Sequence, residues 1–305
     1  MTLATPAPAL ESRTELAERL LDTAARHSYD PHVDVDWAAP ADPDLLWVPE
    51  HRATLYGTAL WERLTPEQRV KLTKHEAASQ CSLGIWFETL FMAMLLRHHY
   101  DQDQVDAHAR HTLTEIAEEC RHSIMFARFL EVTGCPDYGP GKRLHRIGRP
   151  FKALANPTVM FAGALFVEEL LDAMQREVLK DDSVQPLLRQ VSRIHVVEEA
   201  RHIQFARAEV ARSVEALGRT ELLITRIVTT GTVVEVLRAL VPPRVYRSVG
   251  LDPREAYAVR EANPHWRAAR TDWSRKVIAL LQQNGLCDDR LSRQLIRHAG
   301  AAHPR

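Results

Sequence analysis

Glu118-Glu119-Cys120-Arg121-His122 and Glu198-Glu199-Ala200-Arg201-His202 are near-copies set one long interval apart in the chain. Each contains Glu-x-x-His, and each is followed within four residues by Phe-Ala-Arg, as Phe126-Ala127-Arg128 and Phe205-Ala206-Arg207. An α-helix turns about 100° per residue, so Glu119 and His122 fall about 60° apart on one face, and Glu199 and His202 do the same. A carboxylate and an imidazole converging from each of two helices is how a four-helix bundle holds a pair of iron or manganese ions. One such match means little by itself, so the residues around the pair decide the reading.

The helix signals along the chain supply the bundle. Thr65-Pro66-Glu67-Gln68 is a capping box with proline at the first helical position, and it opens a helix to about Tyr100. A second helix is predicted from about Asp103 to Glu131, stopped by Gly134 and Pro136; Asn156-Pro157 opens a third to about Lys180. A fourth is predicted from Ser183 to Gly218, with Gly218 as its stop, and a fifth from Thr220 to Leu240. Asp252-Pro253 caps a further helix, Asn263-Pro264 breaks it, and a last stretch reaches Gly285. Another is predicted from about Glu11 to His27, before a Pro/Asp/Trp-rich connector to about Glu50. Residues 135–156, with Gly139, Pro140, Gly141 and Pro150, read as a crossover loop between two helix pairs. The expected fold is all-α: a four-helix bundle over about 65–240 with extra amino- and carboxy-terminal helices, in a single domain of 305 residues.

Bulk properties narrow the function. A formal net charge of -1 offers no basic surface for nucleic acid or an anionic membrane. The four cysteines, Cys81, Cys120, Cys135 and Cys287, show neither CxxC nor framework spacing, which points to a reducing, cytoplasmic setting without disulfides or structural zinc. The Ala/Pro-rich first ten residues read as a disordered tail, not a signal peptide. No uninterrupted apolar run of about 18 residues is present, so no membrane span is expected.

Two more carboxylates complete a candidate dinuclear set. Glu88 shares its helix face with Cys81, Gly84, Ile85, Phe91, Met92 and Leu95. A carboxylate there loses several kcal/mol of hydration unless it meets a metal or, in the simpler reading, a buried arginine. Glu168 lies among Phe161, Ala164, Leu165 and Leu171; Glu169, nearer Phe166, Ala173 and Arg176, is the alternative ligand. Asp172 either supports a ligand histidine from outside or pairs with Arg176 four residues on. His195 precedes Glu199 by four residues and His202 by seven, so the three share an arc of about 60°. The candidate ligands are thus Glu88, Glu119, His122, Glu168, His195, Glu199 and His202. Four carboxylates offset two divalent cations, and oxygen plus imidazole without thiolate favours iron or manganese. Glu119 and Glu199 are placed as bridges, Glu88 and His122 on one ion, and Glu168, His195 and His202 on the other.

Over residues 65–215, and most specifically from Phe166-Val167-Glu168-Glu169-Leu170-Leu171-Asp172 through Ile194-His195-Val196-Val197-Glu198-Glu199-Ala200-Arg201-His202, the chain resembles the ferritin-like non-haem diiron N-oxygenases related to p-aminobenzoate N-oxygenase and the chloramphenicol-pathway arylamine oxygenase. That family adds a third histidine to the usual two, and His195 matches it; its seven ligands fall on the seven positions above. The resemblance implies two iron ions, dioxygen activated as a bridged peroxide, an external electron donor and a homodimer. It also implies oxidation of an aromatic amine through hydroxylamine and nitroso stages to a nitro group, in secondary metabolism such as antibiotic biosynthesis. One turn before Glu88 stand Gln80, Leu83 and Gly84, with no arginine to clamp an aryl carboxylate; Arg267, Arg270 and Arg275 are the remaining candidates. A larger or neutral amine therefore competes with an aminobenzoate. The motif fixes the oxidant better than its target, so C-hydroxylation, desaturation, and N–N or azoxy bond formation stay open. A ferroxidase or iron-storage bundle, or a scaffold of ion-paired Glu and His, are the readings without an oxygenase.

Overall fold

The structure, a computed structural model, describes residues 11–301. The amino-terminal ten residues, read above as a disordered tail, lie outside the described residues. In chain order the α-helices are α1 (Arg13–Arg26), α2 (Ala59–Arg63), α3 (Pro66–Tyr100), α4 (Ala107–Thr133), α5 (Lys142–Leu154), α6 (Pro157–Lys180), α7 (Pro186–Glu215), α8 (Arg219–Ala239), α9 (Pro253–Ala262), α10 (Pro264–Gln283) and α11 (Arg290–His298). Short 3₁₀ turns occupy Glu50–Arg52 and Pro243–Val249. Among the described residues no strand forms; Leu46 and Val184 make one isolated bridge.

The four longest helices make the bundle. α3 lies along α4 and α6 along α7, and the two pairs meet through α4–α7 and α3–α6 contacts. With one long crossover between the pairs, this is the ferritin-like arrangement. Around it, α1 covers α4 and α7, α10 and α8 pack on α6, α11 packs on α8, and the second 3₁₀ turn packs on α3.

Local chemistry sets most helix ends as predicted. The Thr65 hydroxyl accepts from the Gln68 N–H while Gln68 Oε1 accepts from the Thr65 N–H, closing the box that starts α3. Asn156 Oδ1 accepts from the Val159 N–H at 2.8 Å ahead of Pro157. Gly134, at φ 64°, takes the left-handed conformation that ends α4.

Two expectations are corrected. The crossover is not a loop throughout, because α5 forms inside it despite Pro150. It docks on α3 so closely that a Cβ at Gly148 would sit 2.8 Å from Trp86 Cζ2, so the helix depends on a tertiary contact rather than on local signals. Gly218 does not stop α7, which ends before Ala216; it starts α8 instead, its N–H donating to Glu221 Oε2 at 3.0 Å. A glycine serves at either boundary, since Ncap tolerates it and C′ prefers it. Helices α2 and α11 are additions to the sequence reading. Among the described residues, α3 alone is long and apolar enough to cross a membrane, but 61% of its most apolar window is buried in the protein. It also carries the buried Glu76 and Glu88, which marks it as a core helix.

Candidate metal centre

All seven candidate side chains are buried and converge between the two helix pairs, none more than 4% exposed. α3 contributes Glu88, α4 contributes Glu119 and His122, α6 contributes Glu168, and α7 contributes His195, Glu199 and His202. They form two adjoining groups, Glu88–His122–His195 and Glu119–Glu168–Glu199–His202, each with its donor atoms within 4.8 Å of one another.

Glu119 and Glu199 face both groups. Glu119 Oε2 is 3.6 Å from His122 Nδ1 and its Oε1 is 3.3 Å from His202 Nδ1, so it faces both groups. Glu199 Oε1 lies 3.4 Å from His122 Nδ1, 3.3 Å from His195 Nε2 and 3.5 Å from His202 Nδ1. The predicted allotment of His195 is corrected: it joins Glu88, whose Oε1 is 3.6 Å from His195 Nε2, and not Glu168 and His202. The helix dictates this. Along α7, His195 lies about 6 Å before Glu199 and His202 about 4.5 Å after it, so the two imidazoles flank the carboxylate and serve opposite groups.

Each imidazole is held from outside. His122 Nε2 donates to Glu198 Oε2 and His202 Nε2 to Glu118 Oε2, both at 2.8 Å, while His195 Nδ1 donates to Gln175 Oε1 at 2.8 Å. With the outer nitrogen committed as donor, the inner one keeps its lone pair toward the cluster. Glu118 also receives Arg201 at 2.6 Å, and Glu198 receives Arg121 at 3.3 Å and the Tyr29 N–H at 3.2 Å. The leading Glu of each pentapeptide thus braces the histidine of the other copy. Ser123 Oγ donates to Glu88 Oε2 at 2.7 Å.

Both open alternatives on α6 resolve. Asp172 pairs with Arg176 at 2.7 Å, and the supporting role falls to Gln175. Glu169 pairs with Arg207 and with Lys276 at 3.3 Å on the far side, leaving Glu168 in the cluster. Sequence reasoning missed Glu118, Glu198 and Gln175. The doubled Glu in each copy was the available signal, but only the crossing of α4 and α7 shows whom it serves.

The donor set fits two cations. Glu88 Oε1, Glu119 Oε2, both Glu168 oxygens, Glu199 Oε2, His122 Nδ1 and His202 Nδ1 are buried with no hydrogen-bond partner, whereas the outward atoms of the imidazoles are all paired. Such atoms cost free energy unless something positive meets them. Burial, then the neighbouring Glu199 charge, pushes Glu168 well above the usual carboxylate range. Burial also raises Glu88. Burial opposes charge on His122 too, but Glu119, Glu198 and Glu199 outweigh it and raise that imidazole well above its ordinary range. Four carboxylates in one desolvated cavity demand positive charge, and two divalent ions balance them. No thiolate competes, because burial and the Glu88 charge push the nearby Cys81 thiol up.

Beside the Glu88–His122–His195 group runs a narrow cleft lined by Arg52, Gln80, Cys81, Phe126, Gln175 and Trp273. Phe126 packs on the His195 ring with centroids 5.0 Å apart. Its arginine is not one of the carboxy-terminal candidates. Arg52 lines it, paired with Glu177 at 2.7 Å and Asp272 at 3.5 Å. Arg270 is buried against Trp266 and Glu261, Arg275 pairs with Asp272, and Arg267 donates to the Glu261 carbonyl.

The model of the p-aminobenzoate N-oxygenase AurF family matches residues 11–285 of this chain. The chain belongs to the AurF family. Among curated relatives, the uncharacterized proteins Rv0885 of Mycobacterium tuberculosis (strain ATCC 25618 / H37Rv) and Mb0909 of Mycobacterium bovis (strain ATCC BAA-935 / AF2122/97) are each 27% identical over 249 residues, covering 79% of this chain and 73% of theirs. Among solved structures, two variants of an R2-like ligand-binding oxidase with a reconstituted Mn/Fe cofactor overlay on it. One has a TM-score of 0.47 at 15% identity, covering 92% of this chain and 94% of that one. The other has 0.43 at 16%, covering 96% and 93%. For an AurF-family member, the buried Glu/His clusters are consistent with a dimetal oxygenase centre.

Proposed function

We propose that this AurF-family chain is a non-haem diiron oxygenase that uses dioxygen to oxidise an amine nitrogen to hydroxylamine and onward to nitroso or nitro. The observation that carries the reading is the third imidazole: His195 Nε2 stands with Glu88 and His122 while Gln175 commits its other nitrogen. These seven residues would hold two iron ions, or manganese in their place, which would supply the electrons and the binding surface for dioxygen reduction. The protein's part is positional. Glu118, Glu198 and Gln175 fix the three imidazoles with their lone pairs inward. Phe126, buried against the His195 ring, keeps water from that side of the cavity.

The cleft supports a neutral amine as substrate, because Glu177 and Asp272 already neutralise Arg52 and leave no free cation for a carboxylate among the described residues that line it. Electrons come from an external donor, and the working form is a homodimer.

The test is anaerobic ferrous loading, metal analysis, then admission of oxygen with a panel of arylamines while product mass is followed. Two irons per chain and gain of one oxygen on the amine, or conversion to nitro, are expected. Iron uptake without any oxidised amine moves the target to carbon or to N–N chemistry, and near-zero iron sinks the diiron reading. His195→Ala should lose iron or oxygen reactivity; unchanged spectra and turnover would remove His195 from the ligand set.

A further inference from the structure

A second line of buried ionisable side chains leaves the metal centre along α4. His108, His111 and Glu115 precede Glu119 at three- and four-residue spacing, so they share its face and extend about 16 Å from it. They are 3%, 2% and 1% exposed. Both nitrogens of His108, Nδ1 of His111 and both oxygens of Glu115 have no hydrogen-bond partner, and Glu115 bonds to none of the seven candidate ligands. Yet the groups lie close in sequence along the line. His111 Nδ1 is 3.8 Å from Glu115 Oε2, and His108 Nε2 is 3.8 Å from Glu209 Oε2. Those gaps are a few tenths of an ångström beyond hydrogen-bond range, within reach of a small side-chain rotation. Phe205 holds both imidazoles side by side, its centroid 5.0 Å from His108 and 4.4 Å from His111.

The outer end, Glu209, is 3% exposed and lies one ion pair from solvent. Glu209 accepts from Arg13 Nε at 3.0 Å and from Arg212 Nη1 at 3.1 Å, and the Arg13 side chain is 41% exposed at the start of α1. The charged and titratable groups facing the line are Glu118 and Glu119 on α4, Glu199, Arg201, His202, Glu209 and Arg212 on α7, Glu168 on α6, His98 on α3 and Arg13 on α1. Leaving several buried polar atoms without partners costs free energy.

We propose that Glu209, His108, His111 and Glu115 form the path along which protons pass from solvent to the dimetal centre. The proposal rests on the oxygenase reading above. Converting an amine and dioxygen to a hydroxylamine and one water consumes two electrons from the external donor and two protons. The protons must enter a centre whose walls are almost wholly buried. A proton that enters past the half-exposed Arg13 reaches the buried Glu209, His108 and His111 hand it along through their ring nitrogens, and the Glu115 carboxyl releases it inward and is reloaded by His111.

Two measurements test the path, the first independent of any catalysis. In the zinc-loaded protein, NMR follows exchange of the His111 ring N–H with deuterated solvent, comparing wild type with His108→Phe. Slowing by about tenfold or more, with two zinc ions still bound per chain, is expected; an unchanged rate overturns the proposal. The second is stopped-flow proton uptake, read by an indicator dye, when ferrous-loaded protein meets oxygen without amine, a reaction in which two ferrous ions give two electrons and release of hydrogen peroxide takes up two protons. Glu115→Gln and His111→Phe should slow uptake by about tenfold or more and raise its solvent isotope effect, with iron content unchanged and a small diffusible acid restoring the rate. Uptake at the wild-type rate overturns it. If no amine is ever oxidised, both readouts still judge the path, so the two failures are distinguishable. If a phenylalanine variant fails to fold, the near-isosteric Glu115→Gln carries the test.

Discussion

Glu118 and Glu198 occupy matching positions in the two pentapeptides, yet their surroundings differ enough to separate their roles by experiment. Each accepts the outer N–H of the opposite histidine and an arginine. Replacing either by glutamine keeps an oxygen acceptor but removes the charge, and losing such a supporting carboxylate typically weakens metal binding about 10–100-fold. Stability should split. Arg201 is 2% exposed, so Glu118→Gln leaves a buried guanidinium without its closest counter-ion, a loss of about 3–5 kcal/mol. Arg121 keeps 30% of its side chain in solvent, so Glu198→Gln should cost about 1 kcal/mol. Denaturant midpoints and metal titrations of the two variants check this; equal destabilisation would mean that burial of the arginine is irrelevant. The same residues mark the limit of reading the sequence. Glu119, His122, His195, Glu199 and His202 are legible because their geometry is fixed within one helix by its period. The service of Glu118 to His202, and the place of His195 beside Glu88, depend on how α4, α7 and α3 cross, which no local spacing encodes.

At the level of elements, the legible helix ends are those with a local chemical stop or start: Thr65-Pro66, Asn156-Pro157, Asp252-Pro253 and Asn263-Pro264 all cap as read. α5 was hidden because its proline and flanking glycines mimic a loop, while the contact that stabilises it lies on α3. A comparable long-range junction supplies a pH prediction. Glu76 on α3 is fully buried and accepts from the Thr54 hydroxyl and N–H, and Thr54 in turn meets Tyr246 of the second 3₁₀ turn at 3.0 Å. Burial, only partly offset by Thr54 and Arg260, pushes its carboxyl up to about 7 from an ordinary 4.5. Between those values the unfolded chain has released this proton and the folded one retains it. Stability therefore falls as pH rises through that window, by at most about 1.4 kcal/mol per pH unit, and is flat with respect to this group on either side. Glu76→Gln should remove that slope, so the variant gains on wild type from about pH 4.5 to about pH 7 in urea titrations. A difference between the two that does not change with pH would show that Glu76 is ionised in the folded state.

For the molecule as a whole, the centre is a clamp between two helix pairs. The first group takes Glu88 and His122 from the α3–α4 pair and His195 from the α6–α7 pair; the second takes Glu119 from the former and Glu168, Glu199 and His202 from the latter. Every ion held there would tie both pairs together. Binding to the folded state alone stabilises it by RT ln(1 + [L]/Kd), about 2.7 kcal/mol per site at a hundredfold excess over Kd. Two sites then give about 5 kcal/mol, which for a chain of this size raises the unfolding temperature by about 8 °C. The effect needs charge and coordination but no redox chemistry, so zinc or manganese should produce it as ferrous iron does. Chelation should reverse it, and the shift should grow with the logarithm of free metal. Glu168→Ala separates clamp from general cation binding: it removes the single α6 donor, so the second site should weaken while the Glu88–His122–His195 site still fills, halving metal content and shift together. An unfolding temperature indifferent to metal, in a protein that nevertheless binds two ions, would place those ions outside the seven residues.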